Sequence, residues 1–298
     1  MTPWLQGAID IHVHAAPSIF PRLYDADRLV TEAQAAGMRA VLLKAHEGST
    51  VETAALAQKR VTRLQVRGGI VLNRFVGGFN PYAVEMCLAQ GGQMVWMPTV
   101  HAANHVRHFG FAGFPLQTPL VRKWAVAPLS VLDARGKLLD SVEQVLEVMA
   151  GRTAALSAGH LSAPEVAALF RTAKARKIAR LVLTHAELPL MRCSFDFQKE
   201  MAALGAYIER SFLPTLRAGM AGFGENNSFP VEKTAQEVME LGPERVVLET
   251  DLGQRSNMPP TEGLERFCQR LYELNVPENA IRQMAGSNPA DVLNLGPE

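Results

Sequence analysis

The chain has 298 residues, 48% hydrophobic and 20% charged, a balance that suits a globular protein with a sizeable core. Its net charge of +1 provides no basic field for nucleic acid or for an acidic membrane surface, and no apolar run reaches the roughly 18 residues of a membrane span. Cys87, Cys193 and Cys268 lie far apart, giving neither a metal knuckle nor an even disulfide set, so a cytoplasmic protein is the expectation.

In chain order, strand-like apolar runs fall near residues 8–14, 39–45, 65–72, 93–98, 154–159, 180–185, 206–210 and 245–251. Amphipathic stretches separate them at 26–36, 51–61, 82–90, 141–149, 164–174, 198–204 and 231–241, and glycines such as Gly37 and Gly205 follow as helix stops. Eight strands alternating with helices, several apolar on both faces, predict an α/β fold: a single-domain (β/α)8 TIM barrel over residues 1–298. An open doubly wound sheet is the alternative, but no Gly-x-Gly-x-x-Gly follows the first strand; Gly222-Phe223-Gly224 lies outside that context. Residues 99–137 form an irregular, lid-like insert after the fourth strand. It carries His101, His105, His108, Phe109, Phe111, Phe114 and Trp124, then a small hairpin turning at Ala134–Gly136. A helix near 264–274, a shorter one from Pro277 and the segment Asn288-Pro289-Ala290-Asp291-Val292-Leu293 complete the chain.

The chemistry lies at the strand ends. His12 and His14 are two residues apart, so on a strand both imidazoles face the same way. Lys44, Asn73, His160, His185, Glu209 and Asp251 also stand at or just past strand ends, where a parallel barrel builds its site. Imidazole and carboxylate together suit a divalent transition metal, zinc first, with iron or manganese as alternatives. Asp251 could touch both metal and water, which makes it the candidate general base. Asp10 and Glu249 share strand parity with His14 and Asp251, and either orient ligands or form salt bridges in the barrel floor. His101, just beyond a strand end, is a candidate catalytic or substrate-contacting residue, and His46 a further donor or an ordinary loop residue. Asn73, His105 and Glu209 are candidate substrate contacts, with Arg210 and Arg255 as forks for a substrate carboxylate.

The first-strand His-x-His, the histidines closing the fifth and sixth strands and the aspartate closing the eighth resemble the metal-dependent amidohydrolase superfamily. Val247-Leu248-Glu249-Thr250-Asp251 looks like the last-strand signature of its TatD-like and phosphotriesterase-like branches. Asn288-Pro289-Ala290 is similar to the helix that ends many of these enzymes. The resemblance covers residues 9–293. It implies His12, His14, His160, His185 and Asp251 as metal or near-metal residues, and one or two ions. It also implies hydrolysis of an amide, cyclic amide, lactone or ester bond in a small molecule through a metal-activated water.

One departure stands out. The superfamily's bridging lysine or glutamate, often on the fourth strand, has no counterpart in Trp96-Met97-Pro98-Thr99-Val100-His101. Lys44 on the second strand is the available substitute. It is read as a carbamate bridging two metals, a cation for a substrate carboxylate, a salt-bridge partner of Glu47 or Glu209, or a solvated loop lysine. The competing functions are a metal-dependent decarboxylase or lyase on the same barrel, and a ligand-binding barrel without catalysis. A nuclease is disfavoured by the neutral charge. A small-molecule substrate is expected, with no nucleic acid or membrane partner, and homo-oligomerisation is compatible with the sequence.

Overall fold

The computed structural model describes residues 4–110, 127–191, 193–216 and 229–296. Phe111, Phe114, Trp124 and the Gly222–Gly224 segment lie outside the described residues. Strands and helices alternate as expected. β1 (Ile9–Val13), β2 (Ala40–Leu43) and β3 (Gln65–Arg67) pair in parallel, and β4 (Gly69–Val71), β5 (Met94–Trp96), β6 (Ala155–Ser157), β7 (Leu181–Leu183), β8 (Tyr207–Ser211) and β9 (Val246–Glu249) form a second parallel sheet. β3 and β4 are one strand interrupted at Gly68, where Thr50 inserts its backbone and hydroxyl against Gly69. At the other seam Asp251 N–H donates to the His12 carbonyl (2.9 Å) and His14 N–H to the Leu252 carbonyl (2.8 Å), so the last strand comes round to the first.

Helices α1 (Ala26–Ala35), α2 (Val51–Gln58) and α3 (Pro81–Ala89) cover the first half of the barrel. Local chemistry sets their starts: Asp25 accepts from Arg28 N–H at 2.8 Å, and Asn80 accepts from Tyr82 and Ala83 ahead of a first-turn proline. α4 (Ala103–Phe109) belongs to the segment read from sequence as irregular. The hairpin turn is present, with Leu132 bridged to Leu138 and Asp133 N–H donating to Lys137 at 2.8 Å. α5 (Asp140–Met149), α6 (Ala163–Ala175), α7 (Phe195–Leu204), α8 (Val231–Leu241) and α9 (Pro260–Glu273) follow, then α10 (Glu278–Arg282) and α11 (Asn288–Val292).

Three apolar clusters hold these layers together. Ile9, Ile11, Ala40, Leu42, Val71, Met94, Trp96, Val182, Tyr207 and Val247 fill the barrel, with Ala290, Val292 and Leu293 of the last helix packed against them. The alternate residues, such as Val41, Val95, Leu156, Ile208 and Leu248, join the helices outside. Inward positions are apolar low in the barrel and polar toward the C-terminal ends, where Lys44, Ser157, Thr184, Glu209, Ser211 and Glu249 are all buried.

β1 departs from strict alternation. Asp10 pairs with Val41 but Val13 with Leu43, so β1 carries one extra residue, a bulge. Ile9 and Ile11 face the barrel interior, whereas Val13 packs outside with the helices. The shift corrects the parity argument for Asp10. Its carboxylate accepts from Thr250 Oγ1 (2.6 Å) and from the His12 and Thr250 N–H groups, stapling the first strand to the last. Gly253 is required just beyond: its φ is +126°, and a Cβ there would meet the His14 carbonyl.

Candidate metal centre

His12 occupies the middle of the site and is fully buried. Its Nδ1 lies 2.9 Å from Glu209 Oε1, and its Nε2 lies 2.7 Å from Lys44 Nζ and 3.2 Å from Asp251 Oδ1. His14 Nε2 meets the same Asp251 oxygen at 3.0 Å, while its Nδ1 is held by the Lys44 carbonyl at 2.8 Å. His185 Nε2 lies 3.7 Å from Asp251 Oδ2, and Ser211 Oγ meets its Nδ1 at 2.9 Å. Glu249 Oε2 lies 3.8 Å from His12 Nδ1, and Glu249 Oε1 accepts from the Ser211 hydroxyl. His185 and Asp251 both have φ of +50°, an uncommon backbone for these residues at the end of a strand.

Two sets of donors therefore come together among the described residues: His12, His14 and Asp251, and His12, His185, Glu209 and Glu249. Within each set one atom per residue lies within 4.8 Å of the others. The donors fit a divalent cation. Among the described residues Glu209 Oε2 and Glu249 Oε2 are buried without a hydrogen-bond partner, and the Lys44 ammonium already places positive charge among the carboxylates.

Electrostatics show the same balance. Burial works against a charged His12, as does Lys44, yet Asp251 and Glu209 overcome both and raise its pKa. Burial disfavours an ionised Asp251, but His12 and His185 hold its carboxyl well below the usual range. Burial likewise opposes ionised Glu209, and His12, His185 and Lys44 prevail. Glu249 behaves oppositely: burial, then the charges of Glu209 and Asp251, push it well above the ordinary value. Burial lowers Lys44 against the pull of Asp251, Glu209 and Glu249.

The remaining sequence candidates separate. Lys44 is fully buried, with its Nζ also 5.4 Å from the Trp96 ring centre, which removes the solvated-loop reading. Its partner is His12 rather than Glu47, whose Oε1 accepts from Ile19 N–H. Glu209, expected at the substrate, stands among the residues that could hold a metal. His160 is outside both donor sets; its ring stacks on His105 at 5.0 Å, with the two Nδ1 atoms 2.9 Å apart. His46 stacks on His14 and meets Thr99 Oγ1 at 2.9 Å. Asn73 is engaged within the loops, bonding the His46 carbonyl, Thr99 and His101 N–H. His101 is buried, its Nδ1 has no partner among the described residues, and burial lowers its pKa to about 4.

Arg210 is a correction. Neighbours on a strand face opposite ways, so with Glu209 inside, Arg210 points outward to Gln198 (2.6 Å) and Glu237 (2.9 Å) on α7 and α8. Arg255 is exposed and does not join the donors. The sequence reading missed Ser211, Glu187 and Arg22. Ser211 was legible, since it shares parity with Glu209; the other two are placed by loops and carry no periodic signal. A separate groove of about 710 Å³, lined by Phe229, Met258, Glu262 and Arg266, contains no histidine.

The fold, a parallel barrel with imidazoles and carboxylates gathered at its C-terminal mouth, is one that several solved structures share. The chain belongs to a family described as a family of unknown function (DUF6282), whose profile matches residues 7–209. An amidohydrolase from Pseudomonas aeruginosa is similar in structure, with a TM-score of 0.61 at 12% identity over 97% of both chains. An organophosphorus hydrolase from Deinococcus radiodurans gives 0.58 at 12% identity, covering 96% of this chain and 92% of that one. A 2,6-dihydroxybenzoate decarboxylase from Rhizobium gives 0.52 at 13%, covering 97% and 99%. These are likenesses of fold. No curated protein matches the sequence. Among the described residues no helix is long and apolar enough to cross a membrane.

Proposed function

We propose that the chain is a metal-dependent hydrolase of the amidohydrolase type, cleaving an amide, cyclic amide, lactone or ester bond in a small molecule. The observation that carries this reading is the convergence of His12, His14, His185, Glu209, Glu249 and Asp251, in two buried sets that share His12, from four strands and the turns that follow them. These residues would hold one or two divalent ions, zinc first by donor type. A bound ion would supply Lewis acidity and lower the pKa of a water. Asp251, 15% exposed where its neighbours are nearly sealed, faces the opening and is kept ionised, so it can take a proton from the attacking water. His14 and His185 are held through their Nδ1 atoms, which leaves Nε2 of each toward Asp251. Trp96 and the apolar layers below exclude water from beneath. Lys44 would either help hold the ions as a carbamate, formed by adding carbon dioxide and losing a proton, or remain an amine that offsets the carboxylates. The expected ligand is a small molecule, and the expected setting is the cytoplasm without nucleic-acid or membrane partners.

A decarboxylase on the same barrel is the second reading. The buried Lys44 beside His12 could hold a substrate carboxylate, and the likeness to a decarboxylase fold is consistent with it. Metal content measured by elemental analysis tests the shared premise. The intact protein should retain at least one ion, and His12→Ala should lose it. Asp251→Asn should lower turnover of any identified substrate about 10²–10⁴-fold. Equal metal content and turnover in His12→Ala would overturn the reading. Oxygen-18 from water entering the product selects hydrolysis; carbon dioxide release without it selects the lyase.

A further inference from the structure

The loop after β1 returns to the mouth of the barrel with an arginine that the metal centre does not use. Leu23 N–H donates to the Gly253 carbonyl at 2.8 Å, Arg22 is bridged to Gln254, and Arg255 N–H donates to the Pro21 carbonyl at 3.3 Å. These bonds fix the Arg22 backbone against the turn that carries Asp251. The guanidinium is close enough to feel Asp251 and Glu47 and to weigh against a charged His14. Its Nε reaches Ser18 Oγ at 3.3 Å, and its Cζ stands 5.6 Å from the Phe20 ring centre. Its Nη2 is buried and has no hydrogen-bond partner among the described residues; Glu47 Oε2 is buried without one as well. Phe20 meets His46 edge-on at 5.2 Å, and His46 stacks on His14 at 5.0 Å, so an aromatic wall runs from the arginine to the metal donors.

We propose that Arg22 anchors a subsite for the carboxylate of the substrate, beside the metal donors at the barrel mouth. A guanidinium nitrogen sealed from water calls for an acceptor, and a planar carboxylate matches the fork. Glu47 and Asp251 flank it with negative charge, which tolerates a monoanion and opposes a dianion such as a phosphate monoester. The aromatic wall favours a flat or apolar group attached to that carboxylate. The inference rests on the proposed function only in placing the substrate at this mouth.

Calorimetric titration of zinc-loaded and chelator-treated protein with benzoate, benzamide and inorganic phosphate tests it, with metal content measured in parallel. Benzoate should bind in preference to phosphate. Arg22→Gln should weaken benzoate by about tenfold or more while leaving benzamide and metal content unchanged. Arg22→Lys, which keeps the charge but loses the fork, should fall between them and serves if Arg22→Gln fails to fold. Benzoate binding equally well to both variants, or not binding the intact protein, overturns the subsite. Arg22-dependent benzoate binding in a protein that retains no metal would support the subsite and sink the metal reading alone.

Discussion

Ser211 serves two members of the site at once. Its hydroxyl meets His185 Nδ1 at 2.9 Å and donates to Glu249, and its N–H is held by Glu187 Oε1 at 2.8 Å. Without that hydroxyl the His185 ring loses the bond that fixes its orientation. Ser211→Ala should weaken metal binding by about 10–100-fold, read by competition with a chromogenic chelator, and leave the fold intact. The individual donors were legible because residue type and strand position agreed: His12, His14, His185 and Asp251 each end an apolar run. Arg210 was misplaced by treating a strand end as a region rather than as alternating faces. Glu209 and Arg210 are consecutive and cannot both enter the barrel.

At the scale of elements, the barrel depends on a contact far from the mouth. Asn288, at the start of α11, donates from Nδ2 to the carbonyls of Pro243 (2.7 Å) and Val246 (2.6 Å), tying the last helix to the start of β9. Asn288→Ala strands these carbonyls and should cost about 1–3 kcal/mol in denaturant unfolding, with metal affinity little changed. The strands were readable because their apolar runs are short, buried on both faces and punctuated by helix stops. α4 was not. It spans seven residues, follows Ala102, which offers no side-chain cap, and contains two histidines and an asparagine, so tertiary contacts such as Asn104 Nδ2 to the Leu190 carbonyl (2.8 Å) hold it in place of local propensity. The interruption at Gly68 was equally silent, since residues 65–72 read as one continuous run.

For the whole molecule, concentrating ionisable groups in a sealed mouth makes stability follow pH. Burial keeps His14, His46, His101, His160 and His185 neutral, with folded pKa values below the ordinary 6.5, about 4 for His101 and His185. Their contribution is complete above about pH 6.5 and is lost as pH falls toward 4. Burial raises Asp10 to about 6 and Glu187 to about 7, and burial with the charges of Glu209 and Asp251 raises Glu249 well above its ordinary value. These three contribute below their unfolded values and lose that contribution as pH rises. Five histidines outnumber three carboxyl groups. The melting temperature of chelator-treated protein should therefore climb from pH 4.5 to about 6.5 and level off near neutrality. A fall across that range would contradict the buried-neutral assignment.

The extra residue in β1 acts like an inserted beat in a two-step rhythm. Before it, isoleucines keep time with the apolar floor; after it, the off-beat belongs to His12 and His14, and Val13 is handed to the helices. The length of this strand is thus part of the chemistry. Without the bulge, strict alternation from Ile9 and Ile11 would bring Val13 inside and turn both imidazoles toward the outer layer. A transplant of the histidine pair into another barrel would have to carry the insertion with it.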